Sequence, residues 1–160
     1  MKKDALRILL SLLFYIAFCL CLSSSVFADN VAINETNFPD ADFRNYVLKY
    51  HDRNGNTILD EEEIEESTNI TFSSYEEDNY LPTTTLKGIE YFTALEQLSC
   101  YFTNLKELDL SSNTALKRLI CSDNKLESLD IRNCLNLTEL QCGNNLLTSL
   151  DVILILNKTL

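Results

Sequence analysis

Three of the chain's six cysteines, Cys100, Cys121 and Cys142, recur at a fixed interval of 21 residues. Thiols act as nucleophiles, metal ligands or disulfide partners, and each role demands particular neighbours. No C-x-x-C pair occurs, and the single histidine, His51, is far from this column in the sequence. A zinc-type site and a Cys–His dyad therefore find no support. Carboxylates are dense at Glu61, Glu62, Glu63, Glu65 and Glu66. Such a run describes a solvated helix face better than a positioned acid–base pair. No residue set assembles a triad, and the chain is expected not to be an enzyme.

The cysteine column belongs to a larger repeat. Residues 95–115, 116–136 and 137–151 align without a gap at the same 21-residue period. Leu98, Leu119 and Leu140 fall in one column, and Leu108, Leu129 and Leu150 in another. A period of this length marks a solenoid, in which each coil buries its apolar side against its neighbours. Within a coil, Leu95, Leu98, Cys100 and Thr103 have the spacing of Leu105, Leu108, Leu110 and Asn113, so each coil is two similar arcs. Alternation of apolar and polar residues predicts a short strand opening each arc and stacking in parallel on the coil before it. Asn113, Asn124 and Asn145 suit the turns, because asparagine tolerates left-handed backbone and bonds exposed peptide groups.

At these residues the chain resembles the leucine-rich repeat family, L-x-x-L-x-L-x-x-N/C-x-L. It resembles more closely the bacterial 21-residue variety, L-x-x-L-x-C-x-x-N-x-L-x-x-L-D-L, over residues 86–151. Departures are Thr103 for the first asparagine, Cys134 for the second-arc one, and Ile155 at the last occurrence. The resemblance implies an α+β fold: a short leucine-rich-repeat solenoid of parallel β-strands. It also implies a ligand-facing surface at Gln97, Ser99 and Tyr101, at Arg118, Ile120 and Ser122, and at Glu139, Gln141 and Gly143. The implied partner is an extracellular protein or glycan. Asp109, Asp130 and Asp151 form another column, with carboxylates about 4.8 Å apart if the coils stack. Either a cation sits between them, or each carboxylate bonds its own turn.

Residues 29–68 are of another kind. Pro39 followed by Asp40 and Asp42 opens a helix with Pro39 at its first position. Phe43, Tyr46, Val47 and Tyr50 continue it as one apolar stripe. Residues 52–63 then resemble an EF-hand calcium loop, flanked by helices on both sides. By that resemblance Asp52, Asn54 and Asn56 hold positions one, three and five, and Ile58 supplies a carbonyl at seven. Asp60 stands at nine and Glu63 at twelve, where a bidentate carboxylate is needed. Thr57 departs from the glycine of position six, and two neutral asparagines lower the charge. The implied cofactor is weakly held calcium, with a dissociation constant of about 0.1–1 mM. The alternative is a metal-free acidic turn. A lone helix-loop-helix leaves Leu59 without a partner, so its apolar stripe is expected to cap the first coil.

The ends complete the organisation. Residues 1–28 have a basic start (Lys2, Lys3, Arg7), an apolar run and small residues at Val26 and Ala28, as in a cleaved secretory signal. Its loss removes three cations and one anion, taking the net charge from -11 to -13. Such acidity argues against nucleic acid and anionic membrane as partners, and signal cleavage leaves no stable membrane insertion. The expected location is secreted or cell-surface. In an exported chain the remaining cysteines, Cys100, Cys121, Cys134 and Cys142, are either packed thiols or disulfide partners. The domain order is signal (1–28), EF-hand-like cap (29–68), irregular first coil and loop (69–94), and about three repeats, incomplete at the end (95–157). The leading function is extracellular recognition without catalysis. A structural fragment pairing through an uncapped terminal coil is the alternative.

Overall fold

Asp40, not Pro39, starts the first helix. Its carboxylate caps the helix by accepting from the Phe43 amide at 2.9 Å, two residues later than a helix with Pro39 at its first position would be capped. In this computed structural model, which describes residues 30–73 and 83–148, α1 spans Ala41–Tyr50. The signal segment, the tyrosine-containing loop at 74–82 and the chain beyond 148 lie outside the described residues. α1 buries Phe43 and Val47 and leaves Tyr50 53% exposed. A second helix, α2, spans Glu61–Glu66 and opens with a reciprocal capping box between Asp60 and Glu63.

Between the helices lies a two-residue strand, β2 (Ile58–Leu59), paired antiparallel with β1 (Val31–Ala32). The partner expected to be missing for Leu59 is thus Val31, from just before α1. Leu59 is fully buried and belongs to one core with Phe38, Phe43, Val47, Ile64 and the interior of the coils. The rings of Phe43 and Phe72 meet edge to face at 5.4 Å, and those of His51 and Phe92 at 5.1 Å. These contacts carry the cap onto the first coil, which excludes water from an edge that would otherwise be bare.

The solenoid sheet runs in chain order: β3 (Asn69–Thr71), β4 (Gln97–Ser99), β5 (Arg118–Ile120) and β6 (Glu139–Gln141), all parallel. Ile70, Leu98, Leu119 and Leu140 are in register. A 3₁₀ turn at Ile89–Tyr91 bridges the first coil. It needs Gly88, whose φ is 107° and where a Cβ would lie 2.2 Å from the Phe38 ring.

The second arcs differ from the expectation of a strand opening each arc. Residues 107–110 and 128–131 form no strand. Coil-to-coil backbone bonds on that side are isolated: Lys106 to Thr84, Lys125 to Leu105 and Leu146 to Leu126. Isolated bonds do not propagate a sheet. The apolar residues Leu108, Leu110, Leu129 and Ile131 are buried there nonetheless.

Candidate functional site

Strands β4 and β5 alternate buried and outward residues, while in β6 the inward Leu140 is only partly buried, and this places the expected surface. Leu98, Cys100, Leu119 and Cys121 are fully buried, whereas Gln97, Arg118 and Gln141 are exposed and Ser99, Tyr101, Ile120, Ser122 and Glu139 are half-exposed. The structure therefore brings these residues together on one face. Their charges compensate across rungs: Arg118 Nε meets Glu139 Oε2 at 3.0 Å, and Lys117 Nζ meets Glu96 Oε1 at 2.6 Å. Gln141 donates to Glu139 at 3.0 Å. At the end of β4 the Tyr101 and Phe102 rings meet edge to face, 5.8 Å apart.

Behind the face, Cys100, Cys121, Cys134 and Cys142 are free thiols. Burial pushes the Cys100 thiol well up and holds Cys121 at about 12, so the column packs as neutral thiol and is not a nucleophile reserve. An amide ladder runs beside it. Asn124 donates to the carbonyls of Cys100 (2.7 Å) and Cys121 (3.2 Å) and accepts from Leu105 N–H and the Thr103 hydroxyl. Asn145 repeats the pattern with Cys121, Cys142 and Leu126. Cys134, in the place of the second-arc asparagine, sets its sulfur 4.0 Å from Leu110 O, where Asn113 reaches Ile89 O.

These asparagines do not supply the left-handed backbone assigned to them. It falls instead on Phe102, Asp123 and Asn144, with φ of 53°, 58° and 53°, just before Thr103, Asn124 and Asn145, whereas Ser112 before Asn113 is not left-handed. The left-handed residue turns the chain so that the next side chain points inward to bond the coil below. The signal was readable in the sequence, since Asp123 and Asn144 tolerate this geometry and Phe102 shares their column.

In the EF-hand-like loop the oxygens of the ligand set are committed to the loop itself. Asp52 accepts from Asn56 and Thr57 N–H, and Asn56 Oδ1 from Ile58 N–H. Glu63 accepts from Arg53, Asn54 and Asp60 N–H. Asp60 caps α2 and takes the Asn54 amide. Among the described residues no three His, Cys, Asp or Glu side chains gather closely enough to hold a metal ion. The Ile58 carbonyl sits in β2. Thr57 has a φ of 63°, the left-handed turn expected of glycine at that position.

His51 locks this loop to the coils. Its Nδ1 lies 2.8 Å from Ser67 Oγ, which itself donates to the Glu63 carbonyl at 2.6 Å. Nδ1 therefore carries the proton, and Nε2 is buried without a partner. Burial, helped by Arg53, pulls the His51 pKa down to about 4.

The Asp column resolves toward turn bonding where it is described. Asp109 accepts from Ser111 N–H at 2.9 Å, a bond that lowers its pKa, and Asp130 pairs with the Arg132 guanidinium, which holds it at about 2. Asp151 lies outside the described residues. Both carboxylates border a cleft of about 430 Å³ between the 85–90 segment and the second arcs. Sequence reading missed this cleft because the segment walling it is not a repeat.

Two solved structures are similar to this chain in fold. The functional domain of InlJ from Listeria monocytogenes, described as including a cysteine ladder, is 32% identical with a TM-score of 0.67, over 79% of this chain and 26% of that one. The internalin inlF from Listeria monocytogenes str. 4b F2365 is 23% identical with a TM-score of 0.62, over 76% of this chain and 34% of that one. The fold is a leucine-rich repeat solenoid. The chain spans about a quarter of the first of these structures and a third of the second. No protein-family model and no curated protein matches the sequence. Among the described residues no helix is long and apolar enough to cross a membrane.

Proposed function

We propose that this solenoid is a non-catalytic recognition module of the cell exterior, binding a protein through the outward face of β4–β6. The observation that carries the reading is that face itself. Nine outward residues, Gln97 to Gly143, repeat at rung spacing on a rigid ladder, with bulky aromatics at one end and charges neutralised across coils. Rigid, pre-formed surfaces bind without a large ordering cost. The likeness to InlJ agrees with such a role. The test is an array of cell-surface proteins and glycans probed with the chain lacking residues 1–28. Saturable binding to a protein, lost on Tyr101→Ala with Arg118→Ala while the melting curve is unchanged, is the expected result. A clean array sinks the reading, and sugar-only binding replaces the protein with a glycan.

For the loop we propose weak calcium binding by Asp52, Asn54, Asn56, Ile58, Asp60 and Glu63. Glu63 must first release the N–H groups of Arg53 and Asn54 that it now accepts. That exchange makes a dissociation constant of about 0.1–1 mM reasonable for such a site. Millimolar calcium should raise the melting temperature, Glu63→Gln should remove the rise and Thr57→Gly should enlarge it. An unresponsive parent with no titration heat leaves the loop a self-bonded turn.

A further inference from the structure

Of all the asparagines in the chain, only Asn54 precedes a glycine, Gly55, in the loop between the two helices. A glycine nitrogen is the least hindered nucleophile the backbone offers, because no Cβ flanks it. At Gly55 it is also unengaged: among the described residues its N–H donates to no acceptor. Both residues are exposed, and a Cβ built on Gly55 meets nothing within 4 Å, so solvent base reaches this amide freely. Asn56–Thr57, two residues on, is the opposite case. Thr57 is β-branched, and its N–H is held by Asp52 Oδ2 at 3.0 Å.

The Asn54 side chain is bonded at both ends. Its Oδ1 accepts from Asn56 N–H at 3.0 Å, which stabilises the negative charge that attack on Cγ puts on that oxygen. Its Nδ2 donates to Asp60 Oδ2 at 3.1 Å, and the carboxylate favours the cationic form in which an amine leaves. We propose that Asn54 is a site of spontaneous deamidation, which turns the loop from a self-bonded turn into one that requires a cation. The Gly55 nitrogen gives its proton to solvent base and attacks Asn54 Cγ. A C–N bond forms, the Cγ–Nδ2 bond breaks, and Nδ2 takes a proton from water and leaves as ammonia. Water then opens the succinimide at either carbonyl, restoring the Gly55 N–H and leaving aspartate or isoaspartate. Both products carry a carboxylate where the amide was.

That carboxylate has lost the donor that met Asp60 and now faces a like charge across a former hydrogen bond. Like charges at that distance must separate, protonate or share a cation. The ligand set gains a fourth carboxylate beside Asp52, Asp60 and Glu63, and charge count tunes the affinity of such loops for calcium. This half of the proposal deepens, and rests on, the calcium reading above, whereas the deamidation itself does not. The test ages the full chain in mildly alkaline, calcium-free buffer and sequences its peptides by mass spectrometry. The amide-to-acid mass gain should appear at Asn54 with isoaspartate, be absent from Asn54→Gln, and outpace Asn56 at least tenfold. No gain at Asn54, or an equal rate at Asn56, overturns the proposal. Asn54→Asp, which mimics the product, should melt below the parent in chelator and bind calcium roughly tenfold more tightly. Calcium bound by this variant but not by the parent supports the conversion and sinks the weak-site reading of the parent alone. A variant that melts with the parent in chelator, or gains no affinity, overturns the conversion.

Discussion

In the repeats the asparagine ladder meets the same partners one coil away. Asn124 reaches Cys100 O and Leu105 N–H, and Asn145 reaches Cys121 O and Leu126 N–H. In the cap every such contact occurs once: His51 with Ser67, Asp60 with Glu63, Gly88 against Phe38. The difference teaches where substitution is absorbed. Thr103 and Cys134 stand where the ladder elsewhere has asparagine, and the strand ladder beside them keeps the coils in register. A singular contact has no such neighbour.

The sharpest way to break the comparison is Asn124→Ala. It would leave Leu105 N–H without its partner and leave Cys100 O and the Thr103 hydroxyl only their mutual 3.4 Å bond. Each buried group left unsatisfied costs about 1–3 kcal/mol, so a loss of ~3–5 kcal/mol is expected in denaturant melts. A loss no greater than that of an exposed Asn144→Ala would show that the ladder is replaceable at any rung.

The cap should fail first in acid. His51 has its pKa lowered from 6.5 to about 4, so the unfolded chain takes up a proton that the folded one refuses. The contribution is fully present above pH 6.5 and is lost as the pH falls toward 4. At about 1.4 kcal/mol per unit, the loss approaches ~3 kcal/mol. His51→Gln should flatten the stability profile across that window. An unaltered slope would place the acid sensitivity elsewhere.

Gly88→Ala tests the singular contact by crowding. Its Cβ would lie 2.2 Å from Phe38, a ring held by Tyr91 and Phe92, and the φ of 107° adds strain. Overpacking of this kind costs about 1–3 kcal/mol. Thermal melts should show it, and a neutral outcome would mean that the cap can slide on the coil.

The smallest effect is expected at Cys121→Ser, about 1–3 kcal/mol for a hydroxyl placed among buried thiols, at the low end if the new hydroxyl finds a carbonyl. A variant that melts with the parent would show the column to be plastic. The repeats would then tolerate polarity even at their centre.

The register of the coils, the inward cysteines and the outward face were legible in residues 95–148 because a period of 21 specifies which side chains superpose, and superposed side chains must share an environment. The ligand-like spacing of residues 52–63 was legible as well, and so was the helical stripe of Phe43 and Val47. Spacing does not say which donors an oxygen meets, however. Asp52 and Glu63 could have faced one point or separate N–H groups, and the folded loop has them on N–H groups.

What the sequence alone determined is therefore the part of the protein that repeats: the first-arc strands, interior columns and the exposed face, all consequences of local alternation and translation. The tertiary structure decided the contacts that occur once. β1 pairing with β2, the His51–Ser67–Glu63 chain and the seat of Phe38 over Gly88 join segments whose spacing carries no period. It also decided that the left-handed residue is Phe102 and not its neighbour Thr103, because the inward aim of Asn124 and Asn145 requires the preceding residue to turn. Periodicity constrains equivalent positions to one another; only packing relates positions that are not equivalent.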